Sequence, residues 1–173
     1  MRLTEPTRAY AREMADYRRA FLAAGDSMDG CGSLRRCQDI EDWFVQSERG
    51  KDPATTPSGL VPATQYIFVR ETDGRVVGAL QIRHRFNENL AKYGGHIGYS
   101  VRPDERRKGY AAAMLRAALP RCRELGLRDV LITCRTDNEG SRRTILKNGG
   151  VYESTVFCPE ENEELERYWI HLA

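Results

Sequence analysis

Val101-Arg102-Pro103-Asp104-Glu105-Arg106-Arg107-Lys108-Gly109-Tyr110-Ala111 decides how the rest of the chain is read. Before it, His96-Ile97-Gly98-Tyr99-Ser100-Val101 has strand composition and stops at Pro103. After it, Ala111, Met114, Leu115, Ala118, Leu119 and Cys122 recur at helical spacing, which predicts a helix from about Gly109 to Leu125, kinked at Pro120. A strand that enters a helix through a basic, glycine-bearing loop presents unpaired backbone N–H groups and the positive end of a helix dipole at one point. That geometry binds phosphate. Gly109 lets the backbone approach a ligand, Ala111 keeps the first turn small, and Arg106, Arg107 and Lys108 add charge-assisted hydrogen bonds. The stretch is neither GxxxxGK[ST] nor GxGxxG, so the P-loop and the dinucleotide fingerprint are excluded.

Outward from this stretch the pattern is regular. Gln65–Arg70 and Arg75–Arg83 flank Asp73-Gly74, a hairpin signal. Polar residues 84–95 follow, with a helical turn expected near Asn87–Tyr93. Beyond the helix, Gly126 is its expected C-cap, Val130–Cys134 reads as a buried strand, and Asn138–Asn148 as a helix closed by Gly149-Gly150. Val151–Cys158 and Glu166–Leu172 read as the last strands, separated by acidic residues 160–164. On the N-terminal side, Tyr10, Met14, Tyr17 and Phe21 predict an inward stripe on a helix over Pro6–Ala24. Gly25–Ser33 is rich in breakers, Asp39 caps a short helix to Glu48, and Arg49–Pro62 is a proline-rich loop. Helices, a hairpin, then β-α-β-α-β-β argue for a mixed α/β (α+β) fold around one central sheet flanked by helices.

Composition narrows the function classes. At 173 residues, 40% apolar and 30% charged, the chain has the size and make-up of one packed domain, 1–173, with variable helices and loop over 1–62 and a sheet core over 64–172. The net charge of +2 makes no global case for nucleic-acid or membrane-surface binding. Its distribution is uneven: residues 102–143 carry eleven cations against six acids, and residues 159–173 one against five. Of the 27 basic residues, 23 are arginine, the side chain best suited to phosphate. Five cysteines with no CxxC pair suggest neither a disulfide framework nor a metal site. With no signal-like or membrane-length apolar run, a cytoplasmic setting is expected.

Arg106, Gly109 and Ala111 resemble the acetyl-CoA pyrophosphate loop of the GNAT N-acetyltransferase superfamily: Arg or Gln, two residues, Gly, one residue, then Gly or Ala. The Val101-x-Pro103 strand end, the helix after it, the buried strand and an Asn138-x-x-Ser141 helix start ending in Lys147-Asn148-Gly149 extend the resemblance over residues 66–172. It implies the acyl-CoA N-acyltransferase fold, acetyl-CoA as cosubstrate without a metal, and an amine as acceptor. By the same resemblance, the strand through Tyr99 and Val101 binds the pantetheine arm and splays from Val130–Cys134 to admit it. Arg106, Arg107, Lys108, Gly109, Tyr110 and Ala111 take the pyrophosphate, and Asn138 and Ser141 reach the pantetheine side. Asn138 is also readable as an N-cap alone. Arg142, Arg143 and Lys147 are either contacts for the 3′-phosphate or solvated cations. Relatives often pair, so a homodimer is among the implied assemblies; nucleic acid and membrane are not among the implied partners.

The implied reaction is direct transfer of acetyl from the thioester to the amine, with the Tyr99 backbone N–H serving the oxyanion. His96 stands where many relatives carry a glutamate and is the candidate base, with a hydrogen-bonded structural histidine as the alternative. Many relatives place a tyrosine acid seven residues after the asparagine. Here that position is Ile145, and Tyr110 and Tyr152 are as readable as packing. Acceptors are expected to meet the N-terminal helices, the proline-rich loop and residues 83–93. Arg83, Arg85, Asn87 and Asn89 there are either cleft lining or a solvated edge. A small amine or amino acid is the expected acceptor; a protein N-terminus or lysine, or a CoA-binding module without activity, are the alternatives.

Overall fold

The computed structural model describes residues 1–172. In chain order the elements are β1 (Arg2–Thr4), α1 (Ala11–Ala24), α2 (Ile40–Arg49), β2 (Ala63–Arg70), β3 (Arg75–Arg83), β4 (Ile97–Val101), α3 (Tyr110–Glu124), β5 (Asp129–Arg135), α4 (Glu139–Lys147), β6 (Val151–Cys158) and β7 (Glu163–His171). Short 3-10 turns cover Arg8–Tyr10 and Pro103–Glu105, and a single π turn covers Leu90–Gly94, where a helical turn was expected.

The mixed α/β class is as expected, but the single central sheet is not. The strands form two antiparallel sheets, β1-β2-β3-β4 and β5-β7-β6, which meet at β4 and β5. Two apolar layers hold helices on them. On one face Met114, Leu115, Ala118 and Cys122 of α3 and Ile145 of α4 pack on Leu80, Ile82, Val130 and Ile132. On the other, Met14, Tyr17 and Phe21 of α1 and Trp43 and Phe44 of α2 pack on Ile67, Val69, Val76 and Ala79. The predicted α1 stripe is thus core, with Tyr10 at its margin.

Local rules account for most boundaries. Asp39 Oδ1 accepts from the Asp42 N–H at 2.9 Å and starts α2. The helix α3 runs through Pro120 as one α-helical span, and the Leu127 N–H bonds back to the Cys122 carbonyl around Gly126, closing it. Several boundaries differ from the sequence reading: α1 starts at Ala11 and not at Pro6, β2 and β5 are longer, and the strands at the two ends of the chain, β1 and β7, differ as well. β1, three residues long, pairs with Ile67–Val69 of β2. β7 starts at Glu163 because Glu163 and Glu164 are in register with Cys158 and Phe157 of β6.

Candidate active site

The backbones of the two sheets are pinned together at His96. Just before β4, His96 donates its backbone N–H to the Leu131 carbonyl at 2.7 Å, and its ring Nδ1 accepts the Leu131 N–H at 3.0 Å. Beyond that point β4 and β5 belong to different sheets. Hydrogen-bond parity shows what they present to each other. The Arg83 N–H bonds to the His96 carbonyl and the Arg102 N–H to the Val77 carbonyl, so in this antiparallel ladder Ile97, Tyr99 and Val101 turn their backbone groups away from β3. On β5 the bonds from Thr136 to Glu164 and from Leu172 to Arg128 set the same alternation. Leu131, Thr133 and Arg135 turn theirs away from β7. The facing edges of β4 and β5 therefore carry backbone donors and acceptors that no strand pairing satisfies, and the cleft lies between them.

One end of the cleft is the loop into α3. Among the described residues, no acceptor takes the N–H groups of residues 107–112, and the Gly109 N-cap position carries no side-chain bond. Gly109 adopts φ +80° with open space where a β-carbon would stand, and Arg107 also has positive φ. This run of free N–H groups at a helix N-terminus fits the diphosphate of an acyl-CoA.

The loop is braced from beneath. The Glu105 carboxylate is buried, accepts from Lys108 Nζ at 2.7 Å and Arg70 Nη1 at 3.0 Å, and forms an ion pair with Arg75 Nε at 3.2 Å without a hydrogen bond. Lys108 first, then Arg70, holds that carboxyl below its ordinary range against the opposing effect of burial. The Arg106 side chain is also engaged, with Nε on the Val101 carbonyl at 3.1 Å and Nη1 on Asp26 Oδ2 at 2.7 Å. The cations that the sequence singled out thus differ in kind: Arg106 and Lys108 fix the loop, while Arg107 is exposed. The Tyr110 hydroxyl accepts from Arg70 at 3.3 Å, and Ala111 is half-buried in the first turn of α3.

Across the cleft, Asn138 Oδ1 accepts the Ser141 N–H at 3.0 Å, so Asn138 does cap α4. The Ser141 hydroxyl lies 2.8 Å from the Tyr99 hydroxyl. Burial raises the Tyr99 phenol well above its ordinary pKa, so it stays protonated, and its ring packs with the apolar layer under α3. Arg142 pairs with Glu166 through Nε at 2.7 Å and Nη2 at 2.9 Å, and Arg143 pairs with Glu139. Arg142 is therefore a strut between α4 and β7, not a cation waiting for a phosphate.

The expectation that His96 takes a proton gives way. Its ring is 6% exposed and lies against Phe86 with centroids 3.9 Å apart. Burial, with a smaller push from Arg83, lowers its pKa to about 4, and Nδ1 already serves Leu131. The ring is neutral at pH 7 and has no lone pair to offer. Ile145 is fully buried, and the Tyr152 hydroxyl bonds Thr155 on the exposed part of β6.

A roof covers the other face of β4, and only the fold reveals it. The segment from Gly25 to Ser33 crosses Gly98: a β-carbon on Gly30 would lie 2.1 Å from the Gly98 carbonyl oxygen. Ser100 Oγ donates to the Asp29 carbonyl at 2.7 Å, Gln65 Nε2 to the Gly30 carbonyl at 2.7 Å, and Trp43 Nε1 to the Cys31 carbonyl at 2.8 Å. Beside it opens a cavity of about 480 Å³, lined in part by Asp26, Asp29, Arg35 and Arg36.

Residues 32–149 match the model of the acetyltransferase (GNAT) family. The chain belongs to that family. As a GNAT acetyltransferase it is an acyltransferase. No curated protein matches it. Among solved structures, the GNAT chain is similar to a ribosomal-protein-S5-alanine acetyltransferase from Vibrio fischeri, at 14% identity and TM-score 0.72 over 98% of this chain and 92% of that one. It is similar to a spermidine N-acetyltransferase from Vibrio cholerae at 13% identity and TM-score 0.67, covering 99% and 95%. A proposed acetyltransferase from Salmonella typhimurium, solved with acetyl-CoA, aligns at 15% identity and TM-score 0.65, covering 99% and 94%. At these identities the likeness concerns the fold.

Proposed function

We propose that this GNAT protein is an N-acetyltransferase that moves the acetyl group of acetyl-CoA directly onto the amine of a small molecule or amino acid. The observation that carries the reading is the run of unpaired N–H groups over residues 107–112, placed at one end of an open backbone edge that contains Tyr99 and Val101. The diphosphate belongs at the first and the amide-bearing pantetheine arm along the second. Asn138 and Ser141 start α4 on the opposite side of the cleft.

In the reaction the amine nitrogen attacks the thioester carbonyl carbon, the C–S bond breaks, and CoA leaves as thiolate. The work of the protein is orientation of the two reactants and stabilisation of charge on the former carbonyl oxygen. The Tyr99 N–H is the donor for that oxyanion, a contribution of about 3 kcal/mol for a group of this kind. It depends on the backbone, not on the tyrosine ring. His96 acts as a positioning residue that holds β4 against β5. The amine loses one proton to water before it attacks and a second from the nitrogen as the C–S bond breaks, and no tyrosine stands at position 145 to protonate the thiolate.

The test is incubation of the full chain with acetyl-CoA and a panel of amines, following free thiol and the mass of the acetylated product. Thiol release that depends on the amine supports the reading. Tight acetyl-CoA binding with no turnover on any amine overturns it in favour of a CoA-binding module.

A further inference from the structure

Resting on the acetyltransferase reading, we propose that the acceptor carries a carboxylate beside the amine that is acetylated, and that Arg83 is the counter-ion of that carboxylate. Arg83 ends β3. Its Nη1 donates to the carbonyls of Gly94 at 2.9 Å and Gly95 at 3.1 Å, which fixes the guanidinium at the start of β4. Its Nη2 reaches over Gly98, 3.3 Å from where a β-carbon would stand, and Gly98 immediately precedes Tyr99. Among the described residues no carboxylate forms an ion pair with Arg83, and the only hydrogen bonds of its guanidinium are those two from Nη1. A half-buried, immobilised guanidinium with one side of its fork unused is a cation whose lost hydration no ion pair offsets, Asp29 opposing it only from a distance.

The complementary charge is on the roof. Asp29 is held to β4 through its carbonyl bond with Ser100 Oγ, and one of its carboxylate oxygens accepts from Ser27 Oγ at 2.9 Å, leaving the other open. It forms part of the wall of the cavity beside the roof, which Arg35 and Arg36 also line and which does not reach Arg83. Its negative charge registers at both Arg83 and the Tyr99 phenol. An anion site and a cation site thus flank the β4 segment that holds the oxyanion donor. An α-amino acid presents that pair of charges on adjacent groups, with its ammonium toward Asp29 before deprotonation and its carboxylate on the Arg83 fork. A polyamine or a peptide N-terminus brings no anion to Arg83.

The experiment supplies the full chain with acetyl-CoA and a panel of α-amino acids, each beside its amide and its decarboxylated amine, together with spermidine and a peptide with a free N-terminus. Acids are expected to exceed their own amides by ~30-fold or more in kcat/KM. Arg83→Met is expected to collapse that ratio toward one, and Arg83→Lys to keep part of it. The comparison on the unmodified protein needs no variant and stands if Arg83→Met does not fold. Amides, spermidine or the peptide used as well as the acids would overturn the proposal, as would a ratio unmoved by Arg83→Met. If no amine is acetylated, the acetyltransferase reading fails by itself. Calorimetric binding of the same acids and amides to the CoA-loaded protein then decides the carboxylate site: acids bound in preference to amides uphold it, and no preference overturns it.

Discussion

Leu131 makes both of its backbone hydrogen bonds to one residue, His96: its carbonyl accepts the His96 N–H at 2.7 Å, and its N–H donates to Nδ1 at 3.0 Å. The ring replaces a strand partner at the point where a further ladder bond would begin to close the cleft. Below this staple the sheets are joined; above it both edges are open.

Replacing His96 therefore tests a joint and not a base. His96→Asn offers an oxygen near the place of Nδ1 and is expected to keep the fold and the pH–rate profile between pH 6 and 8. His96→Leu leaves the buried Leu131 N–H unpaired, at a cost of about 1–3 kcal/mol in denaturant unfolding. The titration has a definite sign. The folded pKa of about 4 lies below the unfolded value of about 6.5, so the unfolded chain binds the proton first as pH falls. The stabilising contribution is complete above pH 6.5 and disappears between there and pH 4, amounting to about 3 kcal/mol that His96→Asn should not show.

Gly109 gives a test of the diphosphate cradle. At φ +80° any L-residue is strained, by about 1 kcal/mol, but space for a side chain is open. Gly109→Ala should lower stability by that amount and weaken acetyl-CoA binding only a few-fold. Gly109→Glu adds the same strain and places a carboxylate among donors meant for an anion, so binding should fall by at least a further tenfold. Equal affinity of the two variants in calorimetry would remove the cradle from residues 107–112.

What could be read in advance divides along physical lines. The strand–loop–helix over residues 96–125, the Asp73-Gly74 hairpin and the Asp39 cap were legible because each is set by neighbours in sequence. The π turn at Leu90–Gly94 and the three residues of β1 were not, since neither is long enough to show a period. The roof was hidden for a different reason. Nothing in a glycine-rich run from Gly25 to Ser33 indicates that Gly30 will lie against Gly98, a contact made only once α1 and β4 are both in place. The place of His96 just before β4 is legible from sequence, but what its ring bonds depends on the register of β5. Arg106 and Lys108 lie in the loop between β4 and α3; that Asp26 and Glu105 hold their side chains is again a long-range and a burial effect.

Glu105 is expected to control the loop from below. Its buried carboxylate joins Arg70, Arg75 and Lys108, and removing one member of such a cluster leaves the other charges unmatched. Glu105→Gln should cost about 3 kcal/mol of stability and raise KM for acetyl-CoA while changing kcat less. Because the carboxyl pKa is lowered in the fold, its contribution is present above the unfolded glutamate pKa and fades as pH falls below it. The acid limb of the unfolding curve should therefore flatten in Glu105→Gln.

Tyr99 separates backbone from side chain. Its hydroxyl bonds Ser141 at 2.8 Å and ties β4 to α4 across the cleft, whereas the proposed oxyanion donor is its N–H. Tyr99→Phe deletes the first and keeps the second. Loss of one neutral hydrogen bond predicts about 1 kcal/mol less stability, with the Ser141 hydroxyl free to find water. The effect on kcat should stay below tenfold, far short of the 100-fold or more that accompanies loss of an oxyanion donor. A fall of 100-fold with the fold intact would move the critical group from the Tyr99 backbone to its phenol, and a steady-state comparison of the two proteins at saturating amine measures it directly.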